Sequence, residues 1–205
     1  QNTGWGSGFN QIRTSDSLHG VNKIVIFDYD ADSSDALYES SGTYPPGQWR
    51  HVAVVRASGV LYVYVDGILD GSKSYTGSFD LSESNGTMIG HNPGGAGYRG
   101  NISNLRVVKG TAVYTSSFRV PTEPLTNITN TKLLCCNNSS TTGSTVTPGT
   151  ITAGGDPTAS TDSPFDDPAA FKFGDAGDQN VIKCGSYVGS GSAGLEVNLG
   201  WEPQW

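Results

Sequence analysis

The fold class is decided by residues 49–67, which read WRHVAVVRASGVLYVYVDG. Two apolar runs rich in β-branched residues flank Ser58-Gly59, a pair typical of a tight turn. In the second run Leu61, Val63 and Val65 alternate with tyrosines, which is the period-two pattern of a half-buried antiparallel strand. Asp66-Gly67 predicts a second two-residue turn. The stretch therefore predicts a meander of three consecutive strands.

Other strands are predicted on either side of this meander, at residues 23–29, 87–91 and 100–108. In the last of these Ile102 and Leu105 stand at odd spacing, which predicts a bulge or register break near Ser103-Asn104. Beyond Tyr114 apolar residues are separated by turn residues, as in a segment that packs across a finished sandwich. Those apolar residues are Phe118, Pro121, Pro124, Leu125, Leu133 and Leu134.

The composition agrees with an all-β chain and limits its partners. Of 205 residues 28 are glycine, 35% are hydrophobic and 15% are charged, which favours short strands and tight turns over helices. The net charge is -7 and the 12 Lys and Arg residues are scattered, so we expect no nucleic-acid partner. We expect no membrane span either, because no apolar stretch is long enough.

The sequence is expected to divide into three parts. Residues 1–136 form the sandwich, and residues 137–164, rich in Ser, Thr, Gly and Pro, form a linker or extended arm. Residues 165–205 begin a second, partial small β module. Gln1 follows no initiator Met or signal pattern and Trp205 ends the chain on an aromatic residue, so we expect a segment of a longer protein.

The three cysteines indicate neither a disulfide framework nor a metal site. Cys135 and Cys136 are adjacent and Cys184 stands far away, so the count is odd and no CxxC spacing occurs. We expect free thiols.

Three motifs carry a family resemblance. They are residues 49–56, 61–67 and 100–114, and together they resemble the laminin-G-like, concanavalin-A-like lectin domains. The resemblance implies an antiparallel jelly-roll sandwich. A domain of that family normally has further strands before residues 23–29, where this chain has only residues 1–22, so the first strands are either missing or supplied by another chain.

A narrower resemblance concerns the KGTAVY motif at residues 109–114 and the C-terminal part. The motif is similar to the version found in tail-fibre and other virion structural proteins of marine bacteriophages, and residues 171–187 and 200–205 resemble the small module that follows it in cyanophage-type proteins. This resemblance implies a non-enzymatic protein of the virion surface. The implied partners are other virion proteins, copies of the same chain, most commonly as a trimer, and a host-surface glycan.

A calcium site is a candidate at Asp28, Asp30, Asp32 and Glu39. These carboxylates occupy relative positions 1, 3, 5 and 12, the spacing of a helix-loop-helix calcium loop. Ser33 stands where such a loop has glycine, and the flanks are predicted strands. The alternative, which we favour, is a polar hairpin turn.

A glycan site is a candidate in the Gly-rich loop at residues 91–99. His91, Asn92, Tyr98 and Arg99 offer side chains that stack on or hydrogen-bond a sugar, and sandwich loops are common ligand sites. The favoured alternative is that the glycines only permit positive φ and Tyr98 covers the edge of the core. For Tyr62 and Tyr64, packing or a subunit contact is preferred over a sugar platform.

No catalytic constellation is recognisable in the sequence. His19, His51 and His91 have no zinc-ligand spacing, and there is no GxSxG elbow and no close pair of glutamates on one strand. We therefore predict no enzymatic activity. The alternatives are a carbohydrate-binding module of a secreted or surface bacterial protein and, ranked lowest, a glycosidase.

Overall fold

The computed structural model describes residues 10–14, 20–28, 36–77, 87–91 and 97–165. These residues form nine strands in three antiparallel sheets. The first sheet has β1 (Asn10–Thr14), β2 (Ile24–Asp28) and β3 (Tyr38–Glu39), the central sheet has β4 (Val52–Ala57), β5 (Val60–Val65) and β6 (Ile68–Ser74), and the third has β7 (Leu105–Val108), β8 (Thr131–Cys135) and β9 (Ser144–Val146). The described residues include no helix, and the predicted all-β antiparallel class is confirmed.

The central sheet is the predicted meander, with strand order β4-β5-β6. Both of its turns have positive φ at both central residues: 50° and 76° at Ser58-Gly59, and 51° and 78° at Asp66-Gly67. This is the type I′ geometry, whose twist matches that of the flanking strands. The two turn motifs therefore set the register at which each hairpin begins.

The main core lies between the first sheet and the central sheet. Ile26 and Tyr38, which are cross-strand partners, pack with Leu61 and Val63 of β5 and with Tyr75. Strand β2 is buried at every position. A continuous apolar strand of this kind has both faces covered, and on its other face the Arg13 guanidinium lies 4.1 Å from the centre of the Phe27 ring.

The outer face of the central sheet is also covered, so the half-buried pattern predicted for β5 is wrong at Tyr64. That side chain is only 1% exposed. Its ring lies 5.7 Å from that of Phe118, which in turn stacks on Tyr114 at 3.6 Å. Phe118 thus packs across the sheet, as predicted for the segment after Tyr114.

The third sheet differs from the sequence prediction in its extent. The strand predicted at residues 100–108 is confined to β7, because Asn104 has φ 53° and interrupts the extended backbone just before it. The register shift in this strand lies between Val107 and Val108. Strand β8, which pairs with β7, was predicted only as part of a closing segment.

The predicted linker at residues 137–164 contributes to this sheet, because β9 pairs with β8. Further along it, Asp162 accepts hydrogen bonds from Trp49 Nε1 at 3.1 Å and from Asn101 Nδ2 at 2.6 Å. The division of the chain into three parts stays a prediction, and residues 166–205 of the predicted second module lie outside the described residues.

The strand predicted at residues 87–91 is wrong. Residues 87–90 form no strand, and His91 forms an isolated bridge to Gly97. Gly90 has φ 74°, which turns the chain out of the extended conformation.

In the described part of the chain, no helix has the length and apolar character needed to cross a membrane.

Replacing Gly67 by alanine should detach the aromatic segment from the central sheet. A Cβ at Gly67 would overlap the carbonyl oxygen of Phe118. The amide of Phe118 donates a 2.8 Å hydrogen bond to the carbonyl of Gly67. We expect Gly67→Ala to lower the free energy of unfolding by about 3 kcal/mol or more, through positive φ and overpacking together. Chemical denaturation measures the loss.

The matched control is Gly47→Ala. Gly47 has φ 96° but no atom within 4 Å of an added Cβ, so only the backbone cost remains, about 1 kcal/mol. Equal losses in the two variants would contradict the role given to the Phe118 contact.

Candidate functional site

The two ends of the predicted glycan loop are joined by backbone pairing, and this paired part is called the loop base. His91 bridges Gly97, and the amide of Tyr98 donates a 2.7 Å hydrogen bond to the carbonyl of Gly90. These two contacts bring His91 next to the Tyr98-Arg99 pair. Asn92, the fourth predicted residue, lies outside the described residues.

The side chains at this base face solvent. Tyr98 is 48% exposed, and His91 and Arg99 are exposed as well. The Tyr98 ring lies over Gly100, where an added Cβ would come within 3.0 Å of three ring atoms. Because glycine leaves room for the ring, Tyr98 lies against the backbone at Gly100.

An apolar neighbour extends this surface. Ile102 is 39% exposed, and its Cδ1 atom lies 3.6 Å from the position of an added Cβ at Gly90. A phenol ring and an aliphatic side chain offer contact area, while an imidazole and a guanidinium offer hydrogen-bond donors. This combination is suited to a ligand with one apolar face and several hydroxyl groups.

Two of the predicted calcium ligands, Asp28 and Glu39, lie on described strands of the first sheet. Glu39 is the cross-strand partner of Val25, so its side chain shares the face of Val25. Asp28 lies three residues beyond Val25 on β2, and strand side chains alternate, so Asp28 lies on the opposite face. Their two side chains thus start from opposite faces of the first sheet, and the calcium site stays a prediction. Asp30 and Asp32 lie outside the described residues.

The surroundings of Asp28 indicate that it has a structural role. It is 3% exposed, and its Oδ2 accepts a 2.5 Å hydrogen bond from the hydroxyl of the core residue Tyr75. Within the described ranges, no group of three or more His, Cys, Asp or Glu side chains is arranged to hold a metal ion.

Asp70 is the best-connected side chain in the described residues, and the sequence did not single it out. Its carboxylate accepts hydrogen bonds from the hydroxyls of Tyr38 and Tyr44, both at 2.6 Å, and from the amides of Ser41 at 2.8 Å and Gly42 at 3.0 Å. Tyr38 belongs to the first sheet and Asp70 to the central sheet. The carboxylate therefore ties the two sheets together.

A bulge in β6 places Asp70 for this task. Val63 pairs with Gly71 and Tyr64 pairs with Leu69, which leaves Asp70 as the extra residue. Bulges redirect a side chain in this way. No single-sequence pattern marks the bulge, and only the Asp-Gly pair at residues 70–71 gives a weak turn-like signal.

The charge of Asp70 changes the titration of its partners. Burial opposes ionisation of Asp70, but the hydrogen bonds from Tyr38 and Tyr44 and from two amides prevail and lower its pKa to about 2. Burial and the hydrogen bond to Asp70 raise the pKa of Tyr44 to about 12, and the same causes raise the pKa of Tyr38. Both tyrosines thus remain donors at every physiological pH.

His51, predicted as a strand residue, directly precedes β4 and lies in an aromatic environment. Its ring is edge-on to Phe118 at 5.4 Å and to Tyr114 at 6.0 Å. Burial lowers its pKa, and Arg106 adds to this while Asp66 opposes it. His51 therefore belongs to the covered outer face of the central sheet.

Replacing Asp70 by asparagine should destabilise the protein in a pH-dependent manner. Asp70→Asn removes the charge that four donors share, and we expect a loss of about 2 kcal/mol at pH 7. The folded protein holds the Asp70 proton less tightly than the unfolded chain, whose value is near 3.8. The stabilisation is therefore full above about pH 4 and is lost as the pH falls toward 2. Urea unfolding at pH 7, 4 and 2 measures it.

The control is Asp156→Asn, at an exposed position of the arm, for which we expect no loss. A deficit of Asp70→Asn that stayed constant down to pH 2 would contradict the role of the ionised carboxylate.

Comparison with known families assigns the fold. A family model of the laminin-G type, described as the concanavalin A-like lectin/glucanases superfamily, matches residues 4–113, which is more than half of the chain. No curated protein and no solved structure gives a significant match. The match covers the first and central sheets and the candidate glycan residues. The chain therefore belongs to the concanavalin A-like lectin/glucanases superfamily.

Proposed function

We propose that this chain is a non-enzymatic surface protein of a bacteriophage virion, a tail fibre, appendage or capsid-decorating subunit, whose lectin-like sandwich binds a host-surface glycan. The observation that carries the glycan part is the exposed Tyr98, which lies beside His91 and Arg99 at the base of one loop in a lectin-family domain. Carbohydrate binding or adhesion is the role that the family suggests.

The chemistry of the loop base supports a sugar ligand. The face of an aromatic ring packs against the C–H groups of a sugar ring, and Tyr98 is exposed enough to be covered by one. His91 and Arg99, exposed at the same loop base, supply polar groups for hydrogen bonds to the hydroxyls. The hydrogen bond from Tyr98 to Gly90 holds the backbone before a ligand arrives, which reduces the entropy cost of binding.

Two buried or partly buried carboxylates support a binding role over hydrolysis. A glycosidase needs an acid with a raised pKa close to a second carboxylate. Asp28 bonds the Tyr75 hydroxyl in the core, and the pKa of Asp70 is lowered. Of the residues weighed for hydrolysis, Glu39 is exposed on β3, and Glu83 lies outside the described residues.

The virion assignment rests on the resemblance of residues 109–114 and of the C-terminal motifs to phage structural proteins. It is supported by exposed apolar side chains on the central sheet, Ile68 at 68% and Val52 at 40%, which suit contact with another subunit. The partners we propose are other virion proteins and copies of this chain, with a trimer favoured, at the extracellular surface of the particle.

Replacing Tyr98 should remove glycan binding. On an array of bacterial surface glycans we expect the protein to bind a subset, and Tyr98→Ala or Arg99→Ala to weaken the best ligand about tenfold or more, a loss of 1.4 kcal/mol or more. Arg119→Ala, at another exposed arginine, is the matched control and should bind normally. Equal binding by all three variants would refute this site.

The virion role has its own test. Antibodies against the chain should label phage particles in electron micrographs, and sedimentation should give the mass of a trimer. A monomer that labels no particle, yet binds glycans, would favour the alternative of a carbohydrate-binding module of a secreted or surface bacterial protein.

A further inference from the structure

The last residue of β8 and the residue after it are both cysteines with their sulfurs in contact. Cys135 is 1% exposed and Cys136 is half-buried. Their Sγ atoms lie 3.8 Å apart, and neither cysteine takes part in a disulfide bond. The pair lies outside residues 4–113 and has no part in the proposed glycan site.

This contact is not what the strand geometry alone would produce. Consecutive side chains of a strand point to opposite faces, which would hold two adjacent sulfurs apart. Cys136 has φ 56°, in the left-handed region, and this turn brings its side chain back beside that of Cys135. A residue with a Cβ adopts this conformation at a cost of about 1–2 kcal/mol.

A backbone contact holds the turn in place. The carbonyl of Cys136 accepts a 2.8 Å hydrogen bond from the amide of Asn104, the residue that directly precedes β7. The Asn104 side chain in turn accepts a 2.9 Å hydrogen bond from the amide of Leu125. The left-handed cysteine is therefore an integral part of how the third sheet ends.

We propose that Cys135 and Cys136 are a vicinal dithiol that a small-molecule disulfide oxidises, reversibly, to a disulfide between adjacent residues. The Cys136 thiolate attacks one sulfur of the oxidant and releases its other half as a thiol. Cys135 then attacks the Cys136 sulfur and releases the second thiol. The protein loses two electrons and two protons, and both pass to the oxidant, which leaves as two thiols.

The environment sets the order and the rate of these steps. Cys136 is the more exposed thiol and reacts first. Burial, and the neighbouring Cys136, raise the pKa of Cys135 to about 12, so ring closure is slow at neutral pH and accelerates as the pH rises.

The geometry of the product makes it easy to reduce. Adjacent Cα atoms lie about 3.8 Å apart, closer than the roughly 4.4 Å minimum of ordinary disulfides, and strained disulfides have more oxidising potentials. The site therefore acts as a labile redox site and not as a structural crosslink.

The test uses the full chain with Cys184→Ser, so that only the adjacent pair can react. After incubation with oxidised glutathione, intact mass spectrometry should show the loss of two hydrogen atoms, and dithiothreitol should restore them. The Cys135–Cys136 peptide should carry no glutathione. Adding Cys136→Ser should abolish the mass change. A stable glutathione adduct on Cys136, or dimers linked through it, would overturn the proposal.

Phenylarsine oxide gives a second measurement that needs no oxidation. This trivalent arsenical binds tightly only where two thiols reach it together. We expect one equivalent to bind the reduced Cys184→Ser protein, and none to bind after oxidation or with Cys136→Ser. Binding that survives Cys136→Ser, or no binding to the reduced protein, would show that the two thiols do not act as a pair.

Discussion

Strand β5 has to bury both of its faces, and the arrangement of the other elements follows from this requirement. Leu61 and Val63 meet Ile26 and Tyr38 of the first sheet on one side. On the other side Tyr64 needs the ring of Phe118. Apolar area removed from water on both faces stabilises the strand more than one face could, at about 25 cal/mol per Å².

Two close backbone approaches make this double coverage possible. Gly67 leaves room for the carbonyl of Phe118, and Gly71 leaves room for the hydroxyl of Tyr38. The bulge next to Gly71 directs Asp70 toward that hydroxyl. A polar connection thus lies at the edge of the apolar core, and its charge stays ionised because its donors are already in place.

The candidate ligand-binding side chains lie at a loop and not within the three sheets. Tyr98, His91 and Arg99 are exposed at one loop base, whereas the carboxylate of Asp28, predicted as a calcium ligand, turns into the core. The glycan and virion proposals concern the surface, and the dithiol of Cys135 and Cys136 concerns the end of the third sheet. Each of these features can be tested without disturbing the others, because the residues share no contact among the described interactions.

The sequence by itself determined the meander, both of its turns and β2, because alternation and Asp-Gly and Ser-Gly pairs are local signals. It did not reveal the extent of β7, the bulge at Asp70, the burial of Tyr64 or the turn at Cys136. Those depend on partners distant in the chain, such as Phe118 for Tyr64. Likewise Asp28 and Glu39 have calcium-loop spacing, yet strand pairing puts them on opposite faces, and only the tertiary structure could decide that.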